Sequence, residues 1–98
     1  MQAISFVWDN RKAQENLKKH KVAFQEAQTV FSDPNARMIF DSDHSDDAED
    51  RFILLGISAA LRLLIVCHCY REDDRVVRVI SARKANKNEQ KQYGSFLL

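Results

Sequence analysis

Alternation of apolar and polar side chains is clearest in the run Arg75-Val-Val-Arg-Val-Ile-Ser-Ala-Arg-Lys-Ala85. Its β-branched residues and period of two predict a strand from about Val76 to Ala82. The strand passes, with no Gly or Pro between, into the Lys/Asn/Glu/Gln-rich stretch Lys84–Gln92, which predicts a helix. The preceding run, Arg62-Leu-Leu-Ile-Val-Cys-His-Cys-Tyr70, is long enough to pair with it, and Arg71-Glu-Asp-Asp74 is the connection.

Earlier in the chain, Ile4-Ser-Phe-Val-Trp8 predicts a first strand. Asp9 is a plausible N-cap for a helix over Asn10–His20, whose apolar stripe is only Ala13 and Leu17. Lys21-Val22 breaks that helix, and Phe24, Ala27, Val30 and Phe31 fall at helical spacing over Ala23–Phe31, where Ser32-Asp33-Pro34 ends it. The pair reads as an αα-hairpin, with Phe24 and Phe31 in the core. Arg37-Met-Ile-Phe40 predicts a short strand. Arg51–Ser58 predicts another, interrupted by Gly56, which marks a bulge or a close backbone approach. Residues 58–61 then turn into the next strand, completing a three-stranded antiparallel meander. Gly94 predicts the end of the last helix, and the apolar tail Phe96-Leu-Leu98 carries no readable pattern.

A loop centred on Glu72-Asp73 pairs Tyr70 with Arg75, His68 with Val77, Val66 with Val79, Leu64 with Ser81 and Arg62 with Arg83. Opposed residues share a face, so Arg62, His68 and Arg83 fall on one side of the sheet. Two arginines facing each other repel unless an anion lies between them, which suggests a phosphate site. Two alternatives stay open: one arginine snorkels to solvent, or a bulge shifts the register.

Composition narrows the class. The 98 residues, 45% hydrophobic and 30% charged, suit one folded domain over residues 1–98 and exclude a disordered chain. No apolar run approaches the roughly 20 residues that span a bilayer, and the start lacks a signal-peptide pattern. The expectation is a cytoplasmic chain with reduced thiols and no membrane contact. The net charge of +1 conceals segments of +2 (residues 1–40), −6 (41–50) and +5 (51–98). A basic body with one acidic loop is compatible with an anionic ligand. The basic run Arg11, Lys12, Lys18, Lys19, His20, Lys21 reads as a solvated helix face or as a surface for RNA or a partner.

Metal sites find little support. Counted from Asp41, a calcium loop would need Gly where Asp46 stands and Glu where Phe52 stands, so Asp41–Asp50 reads as a mobile solvated loop. Cys67-His68-Cys69 on a strand sends the thiols to one face and the imidazole to the other, so the three cannot converge on zinc. The thiols read as small apolar groups, and His68 as a general base or a hydrogen-bonded core residue. There is no phosphate-binding glycine loop, nucleophile elbow or zincin motif. What remains possible is metal-independent, cofactor-free RNA cleavage through the 2′-hydroxyl. That reaction needs a proton acceptor, cations for the phosphorane and a donor for the departing 5′-oxygen. Arginine suits the second role through its bidentate fork.

Several motifs then agree on a family. Trp8-Asp9 with Lys12, Asn16, Lys19-His20, Val22, Phe24, Ala27, Val30-Phe31 and Asp33 resembles the N-terminal half of the BrnT toxins of bacterial type II toxin–antitoxin pairs. Arg51-Phe52, Gly56, Ile80-Ser81-Ala82-Arg83-Lys84-Ala85, Glu89 and Tyr93 resemble the second half. The resemblance runs from about Phe6 to Tyr93. It implies an α+β, RelE-like fold: a small twisted antiparallel sheet, formed by the C-terminal meander plus N-terminal strands, packed with the αα-hairpin and a C-terminal helix. It also implies a ribonuclease that inhibits translation, and a BrnA-like ribbon-helix-helix antitoxin through which alone DNA is reached. Carried onto matching positions, it makes Arg83 the transition-state cation. The register adds Arg62 as partner and leaves His68 as candidate base. Lys12, Lys19, His20 and Lys84 become RNA- or antitoxin-contacting positions. The acidic loop and the Cys-His-Cys strand are not tied to the family pattern. The competing class is a non-catalytic module that only holds a DNA-binding partner; a metal-binding domain is a weaker third.

Overall fold

The computed structural model describes residues 4–45 and 49–95; the centre of the acidic loop and the apolar tail lie outside them. The order of elements is β1 (Ser5–Val7), α1 (Asn10–His20), α2 (Phe24–Thr29) running into a 3₁₀ turn (Val30–Ser32), β2 (Arg37–Phe40), β3 (Phe52–Ile57), β4 (Leu63–Arg71), β5 (Val76–Lys84) and α3 (Lys87–Ser95). The strands form one sheet in the order β1-β5-β4-β3-β2. Strands β2 to β5 make an antiparallel meander, while β1 pairs with β5 in parallel. The α+β architecture is as expected, but the sheet is mixed. β1 is separated from β5 by the whole meander, so no hairpin dictates its direction.

Helix α1 forms where the sequence places it. The Asp9 side chain caps it by accepting from the Arg11 and Lys12 amides at 2.8 and 3.2 Å. Lys18, Lys19 and His20 occupy the last turn, where the helix dipole favours cations. Lys21 ends it in the left-handed region (φ 60°), its N–H bonded to the Leu17 carbonyl. The predicted second helix splits, because its last turn tightens into the 3₁₀ segment. The last helix begins three residues later than predicted, since β5 runs on to Lys84. Its start is set by a reciprocal cap: Asn86 Oδ1 accepts from the Glu89 amide and Glu89 Oε1 from the Asn86 amide, each at 2.8 Å. Gly94 lies within α3 rather than at its end.

One face of the sheet carries the larger core. Leu54, Leu64, Val66, Val79 and Ala82 pack against Val22, Phe24, Ala27 and Val30 of the α1–α2 layer. On the other face a smaller cluster joins Leu55 and Ile65 to Ala85 and to Tyr93 of α3, with Ile53, Ile57 and Leu63 packed against it. Among the described residues α3 covers that face only in part. Gly56 is the close approach its position in a strand suggested: a Cβ there would stand 2.9 Å from both Ala36 Cβ and Val30 Cγ1. Beside it, Asp33 Oδ2 accepts from the Ile57 amide (2.8 Å) and the Tyr93 hydroxyl (2.7 Å), tying the two faces together.

Because β1 stops opposite Arg78, the rest of the outer edge of β5 has no strand beside it among the described residues. Asn16 of α1 substitutes for one. Its Oδ1 accepts from the Ala82 amide at 3.0 Å, and its Nδ2 donates to the Ala82 and Val22 carbonyls at 2.9 Å each. The buried carboxamide thus satisfies β5, holds α1 against it and fixes the link to α2. Asn16→Ala orphans three buried backbone groups and is expected to cost about 3 kcal/mol in denaturant unfolding. Gln14→Ala, on the exposed side of α1, is expected to leave the midpoint within ~0.5 kcal/mol.

Candidate active site

The β4–β5 hairpin determines which basic residues share a face. The turn occupies residues 72–75, with Glu72, Asp73 and Asp74 all in the left-handed region, so Arg71 faces Val76 and Tyr70 faces Val77. This moves the pairing two residues from the predicted register without changing the face of any side chain. A second departure does change it. His68 faces Val79 while Cys67 faces Ser81, leaving Ile80 as the extra residue of a bulge. Beyond Ile80 every side chain of β5 points opposite to expectation, and Arg83 lies across from Ile65.

The predicted arginine pair is therefore corrected: Arg62 and Arg83 sit on opposite faces. Arg62 precedes β4 on the helical side. Its Nε donates to Glu26 Oε2 at 2.8 Å, and its Nη2 donates to Glu26 Oε1 and to the Lys21 carbonyl. Ser58 Oγ adds a further hydrogen bond to Glu26 at 2.7 Å. The Arg62 hydrogen bonds, reinforced by Ser58, hold the Glu26 carboxyl below its ordinary range. Arg62 is a tie between the β3–β4 turn, α2 and the end of α1. Lys84 faces Leu64 on the same helical side, and His68 is there too, fully buried.

His68 is a core residue. Phe31 meets its ring edge-on at 4.8 Å and Tyr70 at 5.2 Å. Nδ1 lies 3.1 Å from the Val66 carbonyl, which assigns the proton to that nitrogen, and Nε2 accepts from the Tyr70 hydroxyl at 3.4 Å. A base with no solvent-exposed surface cannot meet an RNA hydroxyl in this conformation. Cys67 and Cys69 fit the same account: burial pushes both thiols up, away from thiolate chemistry.

Arg83 faces the open side. Its Nη1 and Nη2 each donate to Glu89 at 2.8 Å, and Nη1 also reaches the Lys84 carbonyl at 3.3 Å. The Glu89 pair raises the Arg83 pKa, while Arg83 holds the Glu89 carboxyl low. Nε–H and the second Nη2–H find no partner among the described residues, leaving the side-on fork for another anion. Arg83 lines a cleft of about 210 Å³ with Arg51, Cys67, Ser81, Asp41 and His44. Within it His44 Nδ1 lies 2.8 Å from Asp41 Oδ2. The sequence pointed to none of Asp41, His44 or Arg51 as cleft residues; the only signal was the i, i+3 spacing of Asp41 and His44 inside a run read as solvated loop.

A second hollow of about 260 Å³ lies along α1, lined by Lys12, Asn16, Lys19 and His20 with Ile80 and Ser81 of β5. Lys12, Asn16, Lys19 and His20 follow helical spacing, so the face that docks through Asn16 carries the basic residues along its flanks. Ile80 and Ser81 line both hollows. Arg83, Lys12, Lys19 and His20 thus line the two hollows that share Ile80 and Ser81, while Arg62, His68 and Lys84 do not. No group of three or more His, Cys, Asp or Glu able to hold a metal ion occurs among the described residues.

Burial lowers the His68 pKa below its ordinary 6.5, the Val66 hydrogen bond opposing. The unfolded chain then binds the proton more readily, so the contribution of His68 is complete above about pH 6.5 and erodes as pH falls toward the folded pKa. Unfolding free energy is expected to fall as the pH drops from 7 to 5.5. His68→Phe is expected to flatten that slope, measured by denaturant titration at each pH.

The family described as "Ribonuclease toxin, BrnT, of type II toxin-antitoxin system" matches residues 8–89. Among solved structures, the chain is similar to the Brucella abortus ribonuclease toxin BrnT, with a TM-score of 0.65 and 22% identity over 87% of this chain and 100% of that one. That likeness shows the shared fold. No curated protein matches.

Proposed function

This chain belongs to the BrnT family of ribonuclease toxins of type II toxin–antitoxin systems, and from that premise we propose that it cuts RNA at the Arg83 cleft without a metal. The carrying observation is the side-on fork of Arg83, unengaged among the described residues, in a cleft that adjoins the basic hollow of α1. An RNA strand lying along Lys12 and Lys19 passes over Ile80 and Ser81 and brings a phosphodiester to Arg83. The guanidinium, and Arg51 beside it, neutralise charge as the 2′-oxygen attacks phosphorus and the 5′-oxygen departs, leaving a 2′,3′-cyclic phosphate and a 5′-hydroxyl. Glu89 acts as a positioning residue, since a carboxylate on the end-on pair turns the side-on pair outward.

Cleavage of this kind in the cytoplasm arrests translation, and a ribbon-helix-helix antitoxin of BrnA type, itself bound to DNA, is the partner that neutralises it. The same basic hollow suits an antitoxin that competes with RNA. The chain as a scaffold without activity predicts the opposite result in a direct assay. RNA cleavage by the purified chain is expected to survive EDTA. Arg83→Ala and Arg83→Lys are each expected to lower it by about 10²–10³-fold, Lys because it lacks the planar fork. Arg62→Ala is expected instead to lower the melting temperature while the folded protein cleaves normally. Loss of cleavage on chelation, or an Arg83→Ala variant that cuts at the original rate, overturns the proposal.

A further inference from the structure

The cleft contains one group that the phosphate role of Arg83 leaves unused. His44 stands at its rim with the imidazole two-thirds exposed, and the Asp41 carboxylate, almost fully covered, lies 2.8 Å from Nδ1. Asp41 is the acceptor-only partner, so the proton of a neutral imidazole sits on Nδ1 and the lone pair on Nε2. Asp41 is held in turn by backbone: its amide donates to the Arg51 carbonyl at 2.8 Å, and its own carbonyl accepts from Ser45 Oγ at 2.7 Å. The Arg51 amide then donates to Ser45 Oγ at 2.8 Å. The base of the loop is thus closed onto the start of β3, which fixes the carboxylate that orients the ring. A carboxylate–imidazole pair beside two guanidinium groups is the combination that 2′-hydroxyl attack requires.

We propose that His44, oriented by Asp41, is the proton-transfer residue of the Arg83 cleft. The inference rests on the reading of Arg83 as the phosphate cation. His44 Nε2 removes the 2′-hydroxyl proton as the O2′–P bond forms and the P–O5′ bond breaks. The departing 5′-oxygen takes a proton from water, and the imidazolium returns its own to solvent, so no co-reactant is consumed. Arg83 and Arg51 line the same cleft from the strands, and Asp41 stands against Nδ1. Cys67 lines the same cleft, and Glu49 and Glu89 are engaged with Arg51 and Arg83. Asp41 is a positioning residue: it touches the imidazole and not the RNA.

The test is single-turnover cleavage of total bacterial RNA in EDTA across pH 5–8.5, with wild type, His44→Gln, His44→Ala, Asp41→Asn and Arg83→Ala. The exposed side chain of His44 makes folded variants the expectation, checked by circular dichroism and melting. Wild type is expected to show an acid limb, the rate rising with pH as the imidazole loses its proton. His44→Gln is expected to lose that limb and to fall about 10²–10⁴-fold. In His44→Ala, added imidazole is expected to restore part of the rate. Asp41→Asn is expected to reduce kcat more than it changes KM. A His44→Gln enzyme with the wild-type rate and acid limb overturns the inference while Arg83→Ala remains inactive; an active Arg83→Ala enzyme overturns the phosphate reading instead. Failure of imidazole to rescue His44→Ala also counts against proton transfer.

Discussion

The outer edge of β5 is the constraint on which the site depends. β1 covers only its first third, and the remaining amides and carbonyls must be satisfied or left to water. One carboxamide resolves this by presenting an acceptor and a donor to the same residue, as a neighbouring strand does. Asn16 is a helix side chain, so a helix rather than a strand lies next to β5. A strand there would have carried the sheet past the site. The helix instead brings Lys12, Lys19 and His20 alongside the strand that bears Arg83.

The same unpaired edge accommodates the bulge. An extra residue in a strand with ladders on both sides breaks two sets of hydrogen bonds; at Ile80 only the β4 side is disturbed. The consequence is chemical. Without the bulge Arg83 would point toward the α1–α2 layer, on the side where Arg62 already holds Glu26. With it, Arg83 turns to the face that α3 covers only in part. α3 then supplies Glu89, whose carboxylate both starts the helix and grips the guanidinium.

Local chemistry was legible in the sequence, and long-range geometry was not. Asp9 announced α1 because a capping carboxylate acts within three residues, and Gly56 announced a tight contact because no side chain fits there. The hairpin's faces were read correctly as far as Val79, since a shift of two residues preserves parity. Ile80 carries no mark of a bulge: it is an ordinary β-branched strand residue, and what allows the extra position is an edge exposed by a strand seventy residues earlier. His44 was hidden for a related reason. A histidine in an acidic loop reads as solvated until the backbone closure at Ser45 and Arg51 shows that the start of the loop is held against the sheet.

Two arginines of this chain each bind a glutamate, and counting their donors separates them more clearly than their charge does. Arg62 spends Nε and Nη2 on Glu26 and the Lys21 carbonyl, so its side-on fork is taken and a phosphate gains only what it can displace. Arg83 spends the end-on pair and one further hydrogen, which leaves the side-on fork intact beside a cleft. Both ion pairs are partly exposed, and neither is worth much to stability as Coulomb energy alone. Their difference lies in orientation. A carboxylate on one edge of a guanidinium fixes the plane and direction of the other edge, and with it the place where a phosphodiester can be held while its 2′-oxygen attacks.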